Sequence, residues 1–156
     1  YLYIYIYIYI GLFVVVENFS STGIPRTLWS GIVGNDPFGN AQSVTGIMLF
    51  VAIASQFLGN VAVCQLAVPN VDDLDDDAKR YAWALISFVS TIAGNLLLTG
   101  SAANIIVAEQ AARIDESSVM TFANHGKVCF AMCTICCIVG TLLITAANSL
   151  EMSFKA

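Results

Sequence analysis

The chain has 156 residues, of which 58% are hydrophobic and 11% are charged, and its net charge is −5. A soluble domain of this size usually carries about 25% charged residues, and high hydropathy with few charges excludes a disordered chain. The acidic balance excludes a nucleic-acid binder with a basic surface. The composition therefore predicts a membrane protein with no nucleic-acid partner.

Long charge-free tracts divide the chain, and the charged residues collect between them. A helix needs about 20 apolar residues to cross the hydrocarbon core of a bilayer. The pattern predicts an all-α, multi-pass integral membrane protein, in the plasma membrane or an internal membrane, with the lipid bilayer as a partner. The tracts are residues 1–16, 43–69, 81–108 and 128–150.

The first tract begins with a low-complexity segment, residues 1–10, which reads YLYIYIYIYI. Alternation of this kind is typical of a strand with an aromatic face. A repeated TA dinucleotide would also encode tyrosine and isoleucine in turn, so we interpret the segment as a gene-model or truncation artefact. The alternative is a genuine low-complexity membrane segment. Because no methionine precedes it, we expect the chain to be a fragment.

Polar residues interrupt the second tract between two apolar limbs, residues 46–54 and 61–68. Helical limbs of this length reach only about 12 to 14 Å, so neither would cross a bilayer alone. The pattern predicts a re-entrant helical hairpin surrounded by protein or a water-filled cavity. The alternative is one long tilted helix whose polar side chains face other helices. The interrupting residues are Ser55, Gln56, Gly59 and Asn60.

The third tract contains two glycines, Gly94 and Gly100, each beside a polar residue. Glycine costs about 1 kcal/mol relative to alanine inside a helix, so we predict a discontinuous transmembrane helix that unwinds over residues 94–104. A broken helix frees N–H and C=O groups that can bind hydroxyl groups or ions. The alternative is a stripe of small residues for close helix packing.

Several segments of the chain share motifs with one family. Residues 18–29 read NFSSTGIPRTLW, residues 55–65 read SQFLGNVAVCQ, and residues 82–111 read AWALISFVSTIAGNLLLTGSAANIIVAEQA. These motifs resemble the plant-type silicon-efflux transporters and their relatives, the membrane subunits of bacterial arsenite pumps, in the ion transporter superfamily with its citrate transporter-like domain. The second motif departs from the family pattern, which has Asn, Ser and Pro at the places of Gln56, Gly59 and Ala62.

The resemblance implies half of an inverted-repeat carrier. Residues 11–150 would form the C-terminal repeat of the citrate transporter-like domain, and the N-terminal repeat of the same protein would be its missing partner. Each repeat of such a carrier supplies one re-entrant hairpin and one broken helix to a site near the bilayer midplane. A second copy of the chain, in a homo-oligomer, is the alternative partner.

The implied function is secondary active transport, with efflux of silicic acid or arsenite coupled to protons and with no enzyme activity or cofactor. Amides and hydroxyls suit a hydroxylated solute because amides both donate and accept hydrogen bonds. Glu109, at the border of an apolar tract and within the third motif, is a candidate for proton coupling. The candidate substrate ligands are Ser55, Gln56, Asn60, Asn95, Thr99, Ser101 and Asn104.

Amides and hydroxyls do not by themselves identify the solute. A dicarboxylate carrier, a sodium/proton exchanger and a non-transporting membrane fragment are alternative functions. Whatever the solute, Asn60 and Asn104 are expected to approach each other across a cavity shared by the hairpin and the helix break, because both amides lie near the middle of apolar tracts and would need partners there.

Two other clusters of reactive side chains have simpler interpretations. Soft thiolates bind soft metals, but free cysteines commonly pack as small apolar side chains, so we predict packing and no metal site. The cysteines, which begin one turn after His125, are Cys129, Cys133, Cys136 and Cys137.

Residues 72–77, which include five aspartates, are predicted to form a solvated loop, with Asp77 capping a helix that begins at Ala78.

Overall fold

The computed structural model of the chain describes residues 2–33, 40–114 and 121–155. These ranges contain seven α-helices and one 3₁₀ turn and no strand, which confirms the all-α prediction. The low-complexity segment is therefore helical from Leu2 onward rather than a strand. The elements are α1 (Leu2–Ser21), α2 (Ile24–Val33), α3 (Ala41–Leu58), α4 (Asn60–Val71), α5 (Asp76–Ala93), the 3₁₀ turn Leu98–Gly100, α6 (Ala102–Ile114) and α7 (Phe122–Lys155).

Two helices in the described part of the chain are long and apolar enough to cross a membrane, namely α3 and the segment Phe122–Phe154 of α7. Much of the apolar surface of α7 is uncovered, since Val128, Leu142 and Leu143 are 64%, 64% and 65% exposed. Apolar surface of this extent is unfavourable in water. The two helices thus agree with a membrane protein.

Helix α5 lies at the centre of the bundle and packs against α3, α4 and α7. Its buried positions recur at helical spacing, as expected for one face of a helix. The helix begins at Asp76, within the acidic run, and the side chain of the preceding Asp75 accepts a hydrogen bond from the backbone N–H of Ala78 at 3.3 Å. The buried residues are Tyr81, Ala82, Leu85, Ile86, Val89, Ser90 and Ala93.

The predicted cap at Asp77 was therefore wrong by two positions. Asp75 has the extended backbone that a capping residue needs, with φ −64° and ψ 160°, whereas Asp76 and Asp77 already lie in the first helical turn. Their carboxylates favour that turn by their charge. The preceding aspartates are exposed, as predicted for a solvated loop, and Asp72 and Asp73 pair with Lys79 and Arg26 at 3.3 and 3.1 Å.

Contacts along α5 show the directions of its neighbours. Helix α4 is antiparallel to α5, because Cys64 meets Ser90 while Asp72, near the opposite end, meets Lys79. Helix α7 is also antiparallel to α5, since its start approaches the end of α5 and Thr145 hydrogen-bonds Tyr81 near the start of α5, at 2.7 Å.

Helix α7 is antiparallel to α3 as well, because Thr141 meets Met48 and Phe130 shares a cavity with Gln56. Helices α3 and α5 are therefore parallel, and α3 and α4 must be antiparallel. The second tract folds back on itself, so the single tilted helix is excluded. The reversal occurs at Gly59, which has φ 80° and ψ 157°.

The limbs of this hairpin are longer than predicted, with 18 residues in α3 and 12 in α4. At 1.5 Å per residue they reach about 27 and about 18 Å. Ser55 and Gln56 consequently lie inside α3 and not in a polar tip, because α3 continues to Leu58 and only Gly59 leaves the helical conformation. The prediction of two equally short limbs was wrong.

The third tract is interrupted as predicted. Helix α5 ends at Ala93, residues 94–101 form turns that include the 3₁₀ turn, and α6 starts at Ala102. Leu97 and Ser101 both have extended backbones, with ψ 152° and ψ 134°. A continuous packing helix is thereby excluded, and we call residues 94–101 the helix break.

Candidate functional site

The hairpin turn and the helix break lie at the same end of the bundle. Gln56, one turn before Gly59, donates from its Nε2 to the backbone oxygen of Ala93 at 2.6 Å. The two interruptions that the sequence indicated separately therefore form one region. This region contains most of the predicted site residues.

The end of α5 leaves backbone carbonyls without the donors four residues later that a continuing helix would provide, although the Ala93 oxygen accepts a turn bond from the N–H of Leu96 at 2.9 Å. Side chains from other helices donate to three consecutive carbonyls, those of Ala93, Gly94 and Asn95, at 2.6, 3.3 and 3.1 Å. We call the donors the carbonyl clamp. They are Gln56 Nε2 on α3, Asn104 Nδ2 on α6 and His125 Nε2 on α7.

Gly100 permits the close approach of these segments. A Cβ atom there would lie 2.6 Å from Gln56 Oε1 and 2.7 Å from the Gly94 oxygen. Gln56 Oε1 is buried and has no hydrogen-bond partner among the described residues. The donor half of the Gln56 amide thus joins α3 to the helix break, while its acceptor half has no partner among the described residues.

A cavity of about 360 Å³ opens between the hairpin turn and the start of α6. Asn60 and Ser101 both line it, together with the backbone of Gly100. Asn60 Oδ1 accepts from the N–H of Val61 at 2.9 Å, and Ser101 Oγ accepts from the N–H of Ala103 at 3.3 Å. The structure therefore places Asn60 and Ser101 on the wall of one cavity. The approach of Asn60 to Asn104 remains a prediction.

The other predicted ligands are not brought into this cavity. Ser55 is buried, and its hydroxyl donates to the Val51 oxygen of its own helix at 2.7 Å. Thr99 is exposed in the 3₁₀ turn. Asn95 has an exposed side chain and takes part in the clamp through its backbone oxygen.

Glu109 lies on the surface of α6 and forms an ion pair with Arg113, one turn later, at 2.6 Å. Its side chain is 58% exposed. Pairs of this spacing on an exposed helix contribute at most about 1 kcal/mol. Glu109 is thus one partner of an exposed ion pair, and its proton-coupling role stays a prediction.

The sequence did not predict His125 as a clamp residue, because the only feature it showed for this histidine was the cysteines that follow it. Its partner Asn95 lies 30 residues away, and no local signal connects the two. Its other ring nitrogen, Nδ1, lies 3.7 Å from Cys129 Sγ. Further along α7, Cys133 and Cys137 are buried, in agreement with packing, while Cys136 is exposed. The described residues contain no group of three or more side chains placed to hold a metal.

Comparison with curated proteins finds two informative relatives. The chain is 35% identical over 120 residues to the silicon efflux transporter LSI3 of Oryza sativa subsp. japonica, an alignment that covers 74% of the chain and 25% of that protein. It is 33% identical over 120 residues to a protein of Dictyostelium discoideum named "Putative transporter arsB", with 74% and 21% covered. The chain thus spans at most a quarter of the length of these relatives.

No protein-family model matches the chain. No solved structure matches it either. Both relatives carry the names of transporters and not of enzymes, which agrees with the transporter interpretation of the motifs.

Proposed function

Because the matched residues belong to the family of the silicon-efflux and arsB-type transporters, we propose that the whole protein is a secondary active transporter that exports silicic acid or arsenite in exchange for protons. The observation that carries this proposal is the identity to two named transporters over a segment long enough to include both the hairpin and the helix break. The apolar helices α3 and α7 support the membrane location.

The chemistry of the cavity favours an uncharged hydroxylated solute. Asn60 and Ser101 supply an amide and a hydroxyl at its wall, and these groups can donate to and accept from solute hydroxyls. No charged side chain of the described residues lines this cavity. A dicarboxylate would lose its hydration there without a cationic partner, which is costly.

The arrangement in the membrane is part of the same proposal. Helix α4 reaches only about 18 Å, less than the roughly 30 Å of the hydrocarbon core. This length supports a hairpin that enters the membrane and returns. Residues 11–150 would then be one repeat of a multi-pass, inverted-repeat carrier, with the hairpin turn and the helix break at its solute site. The other repeat would complete the site.

The experiment that tests this function is a transport assay on the full-length protein. The protein is reconstituted into liposomes with an imposed pH gradient, and uptake of labelled germanic acid, a silicic acid mimic, and of arsenite is measured. We expect saturable, gradient-dependent uptake of at least one of them. Uptake of citrate or sodium in place of both would establish an alternative carrier function, and no uptake of any of them would contradict the proposal.

Asn104→Ala serves as the site variant in that assay. It removes the donor to the Gly94 oxygen and should reduce transport while membrane insertion persists. Asn70→Ala is the matched control, because Asn70 lies near the end of α4 that is remote from the hairpin turn. Full transport by the Asn104 variant would remove Asn104 from the site.

A further inference from the structure

His125 differs from the other two clamp donors in one chemical respect. Gln56 and Asn104 are amides, which stay neutral, whereas the imidazole of His125 has a second ring nitrogen that can bind a proton. His125 is also only partly buried. It lies in the first turn of α7 and joins that helix to the helix break through the Asn95 oxygen at 3.1 Å.

The contacts of the two ring nitrogens define what a proton would change. A carbonyl oxygen can only accept, so Nε2 carries hydrogen and donates to Asn95. In the neutral ring Nδ1 then accepts from the Cys129 thiol, at 3.7 Å. A proton added at Nδ1 makes both nitrogens donors, so the contact with Cys129 reverses. The bond to Asn95 becomes charge-assisted, and such bonds are roughly twice as strong as neutral ones.

The charged residues of the neighbouring helices lie elsewhere. Helix α3 carries no charged residue, and neither does the helix break. The charged groups of α5 lie in its first turns, at the opposite end from Gly94. On α6, Glu109 and Arg113 pair with each other. On α7, Cys129 is the titratable neighbour, and Lys127 is exposed two residues further on.

We propose that His125 is a proton-responsive positioning residue, which tightens the helix break against α7 when a proton binds and loosens it when the proton leaves. This inference deepens the proposed function, on which its link to transport rests, by naming the group through which protons act. It adds His125 to Glu109 as a candidate for that role. The solute does not need to touch His125, because the effect passes through the Asn95 carbonyl.

The first test measures backbone amide hydrogen exchange of residues 94–101 in the full-length protein at about pH 5.5 and about pH 7.5. Each exchange rate is corrected for the intrinsic dependence of amide exchange on pH. We expect exchange to be about fivefold slower at the lower pH in the wild type, because the charged hydrogen bond is stronger. His125→Gln keeps an N–H donor that cannot titrate, so its exchange should be equal at both pH values. Lys127→Gln, which removes a nearby charge outside the clamp, should behave as the wild type.

The second test is the pH profile of germanic acid and arsenite transport in the same variants. His125→Gln should transport with a flattened profile, while Lys127→Gln keeps the wild-type profile. An unchanged pH dependence of both exchange and transport in His125→Gln would overturn the inference and leave the proposed function intact. If the full-length wild type carries neither solute, the proposed function fails. The exchange experiment then still decides whether the helix break responds to His125.

Discussion

The side-chain amide of Gln56 uses its donor half within the protein, whereas its acceptor half has no partner among the described residues. Gln56 donates to the Ala93 and Ala52 oxygens at 2.6 and 3.1 Å, but its own oxygen remains without a partner among the described residues. An unpaired buried acceptor costs about 1 to 3 kcal/mol. A hydroxyl group that reached this oxygen would recover part of that cost.

Gly100→Ala tests the close approach that brings Gln56 to the helix break. The added methyl group would lie 2.6 Å from Gln56 Oε1 and 2.7 Å from the Gly94 oxygen. The side chain can move, but the backbone oxygen of Gly94 has less freedom. We expect the free energy of unfolding in detergent micelles, measured by denaturant titration, to fall by about 1 to 3 kcal/mol.

The double variant Gln56→Ala/Gly100→Ala separates the two close contacts. It removes the contact with Oε1 and keeps the contact with the Gly94 oxygen, so the Gly100 substitution should cost less in this background than in the wild type, though still something. Unchanged stability of the single Gly100→Ala variant would argue against the packing described here.

At the scale of the elements, the reversal between α3 and α4 depends on one glycine. Gly59 has φ 80° and ψ 157°, a region that is essentially restricted to glycine, although a Cβ atom would find open space. Gly59→Ala should therefore destabilise the protein by about 1 to 3 kcal/mol through backbone strain alone. The measurement is again the free energy of unfolding in micelles.

Gly31→Ala is the matched control for the hairpin turn. Gly31 also has open space around it but lies within α2 without a positive φ. Alanine favours the helix there, so this variant should gain up to about 1 kcal/mol. Equal effects of the two substitutions would contradict the assignment of strain to Gly59.

The packing of α5 on α7 depends on a different glycine. The ring of Phe88 lies so close to Gly140 that an added Cβ would overlap it. We expect Gly140→Ala to lower the free energy of unfolding by about 1 to 3 kcal/mol, because the ring must move out of its contact. On the same helix, a Cβ atom added at Gly126 would have nothing within 4 Å, so Gly126→Ala should be neutral or stabilising.

A double-mutant cycle tests whether the Phe88 ring causes the destabilisation expected of Gly140→Ala. Once Phe88→Ala has removed the ring, Gly140→Ala should no longer destabilise, and the gain in helix propensity should stabilise the variant by up to about 1 kcal/mol. If Gly140→Ala costs the same with and without the Phe88 ring, the helices meet there in some other way.

At the scale of the whole molecule, the 156-residue chain is expected not to transport on its own. It matches 25% and 21% of the lengths of its relatives, and alternating access needs one unit to move against another. The chain is reconstituted in liposomes beside the full-length protein, and germanic acid and arsenite uptake is compared. Only the full-length protein should show saturable uptake. Saturable uptake by the short chain would show that copies of it assemble into a working carrier.

Helix positions could be predicted because they depend on local properties. Charge-free tracts gave the main helical segments, and the glycine-rich stretch after Ala93 gave the helix break, since glycine weakens a helix wherever it stands. The limb lengths of the hairpin were less predictable. Ser55 and Gln56 are polar, yet they stay helical because their side chains donate to the carbonyls of Val51 and Ala52, one turn earlier in α3.

The sequence by itself determined the helical class, the apolar surface, the two interruptions and the family resemblance, because composition and short motifs carry that information. The tertiary structure alone decided which groups meet at the site. Gln56, Asn104 and His125 lie on three helices and reach three adjacent carbonyls, whereas Ser55 and Glu109 turn to other partners. These contacts depend on the direction in which each helix packs against α5. That direction cannot be predicted from the helical periodicity of a single segment.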